Sequence, residues 1–304
     1  MKNSFVLYLF TLIILTSIAN FATLRVSPTP PPLENEFKMK DQFGRVRIYH
    51  GVNVVYKLPP YIPFQDKFDP FLSLSDEDIK YFKEFGFNVV RLGTMWEAIE
   101  KEEGKYDSEL LDRFYNLVMK LGENGIYTII DAHQDIVSRS FCGEGVPSFY
   151  IDKLDYDKTC NGSLFKRFLH LIGVCKGIGE FNFKKDELGR PLLSECHGHF
   201  IDLHTSPDVT SAYYKLYNNV GGILDSYVSF WKVLASKFKN NEYVIGYDLW
   251  NEPFPGNLYD NILRLIPGKT DNEQLLNFYR VLDKGIREVD SNYVMMFNKM
   301  TMTL

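Results

Sequence analysis

Apolar residues along the chain fall into two alternating patterns, short near-continuous runs and longer stretches spaced at helical intervals. RVRIYHGVNVV (45–55) reads as a buried strand, and SLSDEDIKYFKEF (73–85) as a helix capped by Ser75, with Asp78 three residues on completing a capping box. FNVVRLG (87–93) returns to strand. LLDRFYNLVMKLGENG (110–125) is a helix that ends on glycine, and IYTIIDAHQD (126–135) is strand again. From Ile136 to about Val209 the regularity lapses into a cysteine- and glycine-bearing insert. SAYYKLYNNVGGILDSYVSFWKVLASKF (211–238) then reads as helical, EYVIGYDLW (242–250) as a fourth strand, NEQLLNFYRVLDKGIREV (272–289) as a helix and NYVMMFN (292–298) as a fifth strand.

Strands that alternate with helices and are apolar almost throughout imply an α/β fold with a parallel sheet covered by helices, either an open doubly wound sheet or a (β/α)8 TIM barrel. No glycine fingerprint follows the first strand, which argues against a dinucleotide-binding sheet. Residues 44–304 supply only about the first five strand-helix units of the eight a barrel needs.

Ahead of these units, MKNSFVLYLFTLIILTSIANFA (1–22) has a lysine near its start, an apolar run from Phe5 to Ile18 and small residues suited to cleavage; it reads as a secretory signal peptide. SPTPPP marks residues 23–43 as a proline-rich spacer. The expected location is therefore secreted, or the lumen of the secretory and lysosomal system. That setting gives the four cysteines a meaning: Cys142, Cys160, Cys175 and Cys196 all fall in the insert and can form two disulfides, with three connectivities open. The sequon Asn161-Gly162-Ser163 is a candidate glycan acceptor. HGHFIDLH, with Cys196, His197, His199 and His204, is rich in zinc-ligand types but lacks the paired spacing of a structural site. A formal net charge of −5 without a basic block implies no nucleic-acid partner.

In a parallel barrel the functional side chains gather just past the carboxyl ends of the strands. Here those positions hold Asn53 and Lys57 after strand one, Arg91, Trp96 and Glu97 around strand two, Asp131, His133 and Asp135 after strand three, and Asn251 and Glu252 after strand four. Charges directly behind buried strands are costly unless paired, so their concentration at one end points to a polar site. Taken singly, Arg91 reads as a buried ion-pair partner, His133 as a satisfied core histidine, and Trp96 and Trp250 as core aromatics or as platforms for the apolar face of a sugar ring.

NVVRLGTMWE, IIDAHQD, FCGEGVPSF and YDLWNEP, in this order and spacing, resemble glycoside hydrolase family 5, and within it the endoglycoceramidases, which cleave the bond between glycan and ceramide in glycosphingolipids. The resemblance runs from about Gly51 to Asp290. It implies a barrel, a retaining mechanism without metal or cofactor, and a glycosphingolipid or oligosaccharide substrate. Glu252 resembles the acid/base and Asn251 the residue that hydrogen-bonds the sugar 2-hydroxyl. Arg91 resembles the arginine near the nucleophile; His133, Asp135, Lys57 and Trp96 are expected to bind sugar. Pro59-Pro60 reads as a rigid turn, or by resemblance as the rim of a lipid-facing groove in peripheral contact with membrane lipid.

One departure is large. The family's nucleophile is a glutamate at the end of the seventh strand, and no acidic residue follows Asp290 in this sequence, so no residue matches it. The expectation is a C-terminally truncated chain that, expressed alone, is poorly folded and does not hydrolyse glycolipid, because the nucleophile strand is missing. The alternatives are a catalytically inactive glycolipid-binding form and a family 5 endoglucanase or mannanase. Oligomeric state is not legible.

Overall fold

The computed structural model describes residues 39, 43–155, 158, 160 and 164–300. The expected signal segment, nearly all of the spacer and the sequon Asn161 lie outside the described residues. The chain divides into a unit of residues 1–48 and a second that begins at Tyr49, and the second carries every element below.

Five strands form one all-parallel sheet in sequential order: β1 (Gly51–Val54), β2 (Val89–Thr94), β3 (Tyr127–Ala132), β4 (Val244–Asp248) and β5 (Val294–Met296). Each successive pair is joined through a helical crossover, as parallel pairing requires. The helices are α1 (Asp76–Glu84), α2 (Ser108–Glu123), α3 (Pro207–Tyr217), α4 (Ile223–Phe238) and α5 (Leu276–Arg287), with shorter helical turns between them. This is the opening half of a (β/α)8 layout: a sheet with helices outside and apolar side chains filling both faces of its strands.

The local reasons are those the sequence suggested. Ser75 accepts from the Asp78 amide while the Asp78 carboxylate accepts from the Ser75 amide at 2.7 Å, so the capping box starts α1 where expected. In α2, Leu110, Leu111, Phe114, Leu117, Val118 and Leu121 face inward at helical spacing, each worth roughly 1.5–3 kcal/mol on full burial. Gly122 closes this helix onto the sheet, because a Cβ there would meet the Tyr243 ring at 1.9 Å.

Two expectations need correction. The helix read over residues 211–238 is two helices, since Asn219, Gly221 and Gly222 adopt φ of 55°, 71° and 78°, which no α-helix accommodates. The Asn219 side chain caps the second, its Oδ1 accepting from the amides of Leu224 and Asp225 at 3.0 and 3.2 Å. Strand one is shorter than the apolar run 45–55, because only Gly51–Val54 find ladder partners on β2.

Candidate active site

Register decides what meets at the carboxyl end of the sheet. Asp131 on β3 pairs with Gly93 of β2 on one side and with Asp248 of β4 on the other, so two aspartates stand side by side with Arg91 one pleat below on the neighbouring strand. The Arg91 fork serves three acceptors: Nη2 donates to Asp131 Oδ1 at 2.8 Å and to Asn251 Oδ1 at 3.0 Å, and Nε donates to Asp248 Oδ2 at 2.8 Å. Asp131 Oδ2 accepts from His133 Nδ1 at 2.8 Å, which leaves Nε2 as the imidazole acceptor, 3.4 Å from the Asn251 amide nitrogen. Asn298, just past β5, donates to Asp248 Oδ1 at 3.0 Å. Burial pushes the Asp131 carboxyl up, and its bonds to His133 and Arg91 pull the other way.

A second cluster flanks the first. The Lys57 amine lies between Asp135 and Glu144, 3.2 Å from Glu144 Oε1, and His133 Nε2 is 3.7 Å from Asp135 Oδ2. Glu144 reaches this place because FCGEGVP lies against the end of strand three: the amides and carbonyls of Asp135 and Glu144 exchange two hydrogen bonds, of 2.8 and 3.1 Å. The flanking glycines permit that approach; a Cβ on Gly143 would come 2.1 Å from the Asp135 carbonyl oxygen. Burial pushes Glu144 up, opposed chiefly by Lys57. Glu97, whose backbone is tied to Gly145, is pushed by burial up to about 7 although the Gly145 amide favours its anion.

Glu252 differs from these acids. Its backbone has φ of 39°, strained for a residue with a side chain, and Gln134 holds it there. Gln134 Nε2 donates to the carbonyls of Asn251 at 2.5 Å and Glu252 at 3.3 Å, while Oε1 accepts from the Val137 amide and the Tyr213 hydroxyl, both at 3.0 Å. The Glu252 carboxyl itself is exposed. Among the described residues Asp131 and Asp248 are tied to Arg91, and Asp135 and Glu144 to Lys57, whereas the Glu252 carboxyl makes no hydrogen bond or ion pair.

The structure thus brings together Arg91, His133, Asp135, Lys57, Asn251 and Glu252. Trp96 is a correction. Its indole is 2% exposed, donates to Glu100 Oε2 at 2.5 Å, and packs against Tyr150, Tyr227 and Phe230 at ring separations of 4.9–5.8 Å, so no face is open to a sugar. Trp250 is likewise buried, edge-on to Tyr227 and Phe278. Reasoning from sequence passed over Asp248, Gln134, Glu144 and Asn298 as site residues; the first and last end strands four and five and were open to the same rule as Asp131, whereas the signal for Gln134 and Glu144 was their place in the motifs IIDAHQD and FCGEGVPSF.

The cysteines pair as Cys142–Cys196 and Cys160–Cys175. Cys196 is therefore not available to the zinc arrangement considered for HGHFIDLH. Cys160, His170 and Glu180 offer ligand atoms within 4.8 Å of one another, but the Cys160 sulfur is spent in its disulfide. No helix among the described residues is long and apolar enough to cross a membrane.

A sequential parallel sheet with an amide, an imidazole and an unpaired glutamate at its carboxyl end has the form of a barrel glycosidase site. The family model "Cellulase (glycosyl hydrolase family 5)" matches residues 67–161 and 199–301, and the chain belongs to this family. The gap between the two matched stretches falls within the disulfide-bearing insert. An endoglycoceramidase of Cyanea nozakii is 34% identical over 92% of this chain and 52% of its own length; an endoglycoceramidase of Hydra vulgaris is 34% identical over 86% and 48%. The chain spans about half the length of these curated relatives. The solved structure of endo-glycoceramidase II from Rhodococcus sp. with ganglioside GM3 shares the fold at a TM-score of 0.61 and 21% identity, over 86% of this chain and 51% of that one.

Proposed function

We propose that this chain carries the proton-donating and sugar-holding part of a retaining glycosidase that releases the glycan of glycosphingolipids from ceramide. The observation that carries the reading is the pairing pattern: of the five carboxyl groups in the two clusters, only Glu252 lacks a cation or hydrogen-bond donor among the described residues. A carboxyl locked to arginine or lysine cannot readily exchange a proton, and one free at the site can. Glu252 would protonate the glycosidic oxygen as the bond from the anomeric carbon breaks, then take a proton from the water that completes hydrolysis. Asn251, fixed by Arg91 and by the Gln134 carbonyl at 3.0 Å, would present its amide to the 2-hydroxyl. His133, Asp135 and Lys57 would hold the remaining hydroxyls. The attacking carboxylate of a retaining pair has no counterpart in these clusters, where the other four acids share Arg91 and Lys57, two to each cation.

The glycolipid preference rests on the relatives: the two that are 34% identical over 92% and 86% of this chain are endoglycoceramidases, and solved structures of the Rhodococcus protein hold ganglioside GM3 and a lactosyl-enzyme intermediate. The test is hydrolysis of fluorescent ganglioside beside cello-oligosaccharides by this chain joined to the strands that supply the attacking carboxylate, with and without Glu252→Ala. The variant should lose about 10²–10⁴ in rate on the glycolipid while keeping bond cleavage on an aryl glycoside whose leaving group needs no proton. A preference for the cello-oligosaccharide, or full glycolipid turnover by Glu252→Ala, would overturn the reading.

A further inference from the structure

The helix Leu164–Leu171 belongs to the insert, in the stretch between the two that the family model matches, and the Cys160–Cys175 disulfide closes the loop that carries it. Leu164, Phe168 and Leu171 recur at i, i+4 and i+7 and so share one face, where they are 84%, 51% and 83% exposed. The opposite face is anchored. Leu169 packs with Cys160, Cys175 and Tyr259, and the Lys166 amine lies 2.9 Å from Asp260 Oδ1. Among the described residues nothing covers the apolar face, although removing such a face from water is favourable.

The anchor ties this helix to the loop that leads away from Glu252. Tyr259 and Asp260 lie on that loop, and the turn that follows exposes Ile262, Leu263 and Ile266, a second apolar ridge on the same segment. Charge decides the occupant. Residues 159–179 hold Lys166, Arg167 and Lys176 but no aspartate or glutamate, in a chain whose net charge is −5. An apolar face set in a basic stretch matches an anionic bilayer, where apolar side chains enter the acyl boundary while the cations stay among the headgroups. At about 12 Å the helix is too short to span a bilayer and long enough to lie on one.

We propose that the helix Leu164–Leu171 docks the protein onto an anionic phospholipid bilayer through Leu164, Phe168 and Leu171, with Ile262, Leu263 and Ile266 as a second contact, so that Glu252 works on glycolipid held in the membrane. This rests on the glycolipid reading of the substrate. It places the lipid contact on the disulfide-closed insert, not on the Pro59-Pro60 rim that the sequence suggested.

The experiment is flotation of this chain, joined as above to the strands that supply the attacking carboxylate, with vesicles of phosphatidylcholine alone or mixed with phosphatidylserine. Phosphatidylserine should tighten binding about tenfold or more, and the double variant Leu164→Ser, Leu171→Ser should weaken it about tenfold or more. Both side chains already face water, so the fold should survive, which melting curves check. Phe168→Trp supplies a reporter that acyl-brominated lipid should quench, whereas Trp96, Trp231 and Trp250, each 2% exposed or less, should stay bright. Unchanged binding by the double variant would overturn the docking. So would an unquenched Phe168→Trp, or a loss of binding caused instead by Phe71→Ser, on the loop after β1. Ganglioside dispersed in detergent micelles should be hydrolysed equally by the double variant and the unaltered protein; if neither hydrolyses it, the glycosidase reading fails while the vesicle result stands by itself.

Discussion

Replacing Arg91 by methionine removes one cation from between two acids. The Asp131 side chain is 0% exposed and that of Asp248 9%, while the arginine is 18% exposed, so water cannot take the guanidinium's place. Breaking a buried pair from one side costs about 3–5 kcal/mol, because the charge left behind stays desolvated. For a domain of this size each kcal/mol moves Tm by about 2–4 °C, so Arg91→Met should melt roughly 10 °C lower at pH 7.5. The loss should depend on pH in a definite direction. Burial already pushes the Asp131 carboxyl up, and without the opposing guanidinium it rises further, so between the unfolded and folded values the folded variant binds a proton that the unfolded chain does not. Its stability must then recover as pH falls, and by pH 5 the deficit should shrink to less than about half. Arg91→Lys keeps the charge but not the fork, and should fall between. Denaturant unfolding at pH 7.5 and 5 measures both quantities. A deficit below about 1 kcal/mol, or one that is the same at both pH values, would show that Arg91 acts by packing and that the ion-pair reasoning is wrong.

Glu97 gives a second pH signature. Its carboxyl is pushed up to about 7, so from about pH 4.5 to 7 the folded protein keeps a proton that the unfolded chain has lost, and stability should fall as pH rises through that window by up to about 3 kcal/mol. Glu97→Gln should flatten this part of the profile of Tm against pH; an unchanged slope would count against it. The disulfides close loops with separations of 54 and 15 residues, which the chain-entropy account values at about 4 and 3 kcal/mol. Cys142→Ser with Cys196→Ser should therefore lower Tm more than the Cys160/Cys175 pair of substitutions, and the reverse order in calorimetry would refute the loop-length argument. Tyr213→Phe removes one of the two donors to Gln134 Oε1 and should cost about 1 kcal/mol in denaturant unfolding, with a lower rate of glycolipid hydrolysis because the Glu252 backbone is held less firmly; an unchanged rate would free Gln134 from a positioning role.

The sequence by itself determined the kind of structure and the kind of chemistry. Continuous apolar runs separated by helical periodicity fix a parallel sheet, because strands buried on both faces admit no polar alternation, and the strand ends could be read off as the place for Arg91, His133, Asn251 and Glu252. The motifs fixed the family. What the sequence could not reach depends on distance across the fold. Only the register of β3 against β4 sets Asp131 beside Asp248 and so turns Arg91 into a bridge between them. Only packing shows that Trp96 lies under the helices, since the same residue at the same strand end could face either the site or the core. Three cysteine pairings were equally open until the insert brought Cys142 and Cys196 to a Cα separation of 5.6 Å. The YDLWNEP motif already singles out Glu252 in the sequence; what only the tertiary structure decided is that, among the described residues, Arg91 and Lys57 are engaged by the other four acids and leave the Glu252 carboxyl unpaired.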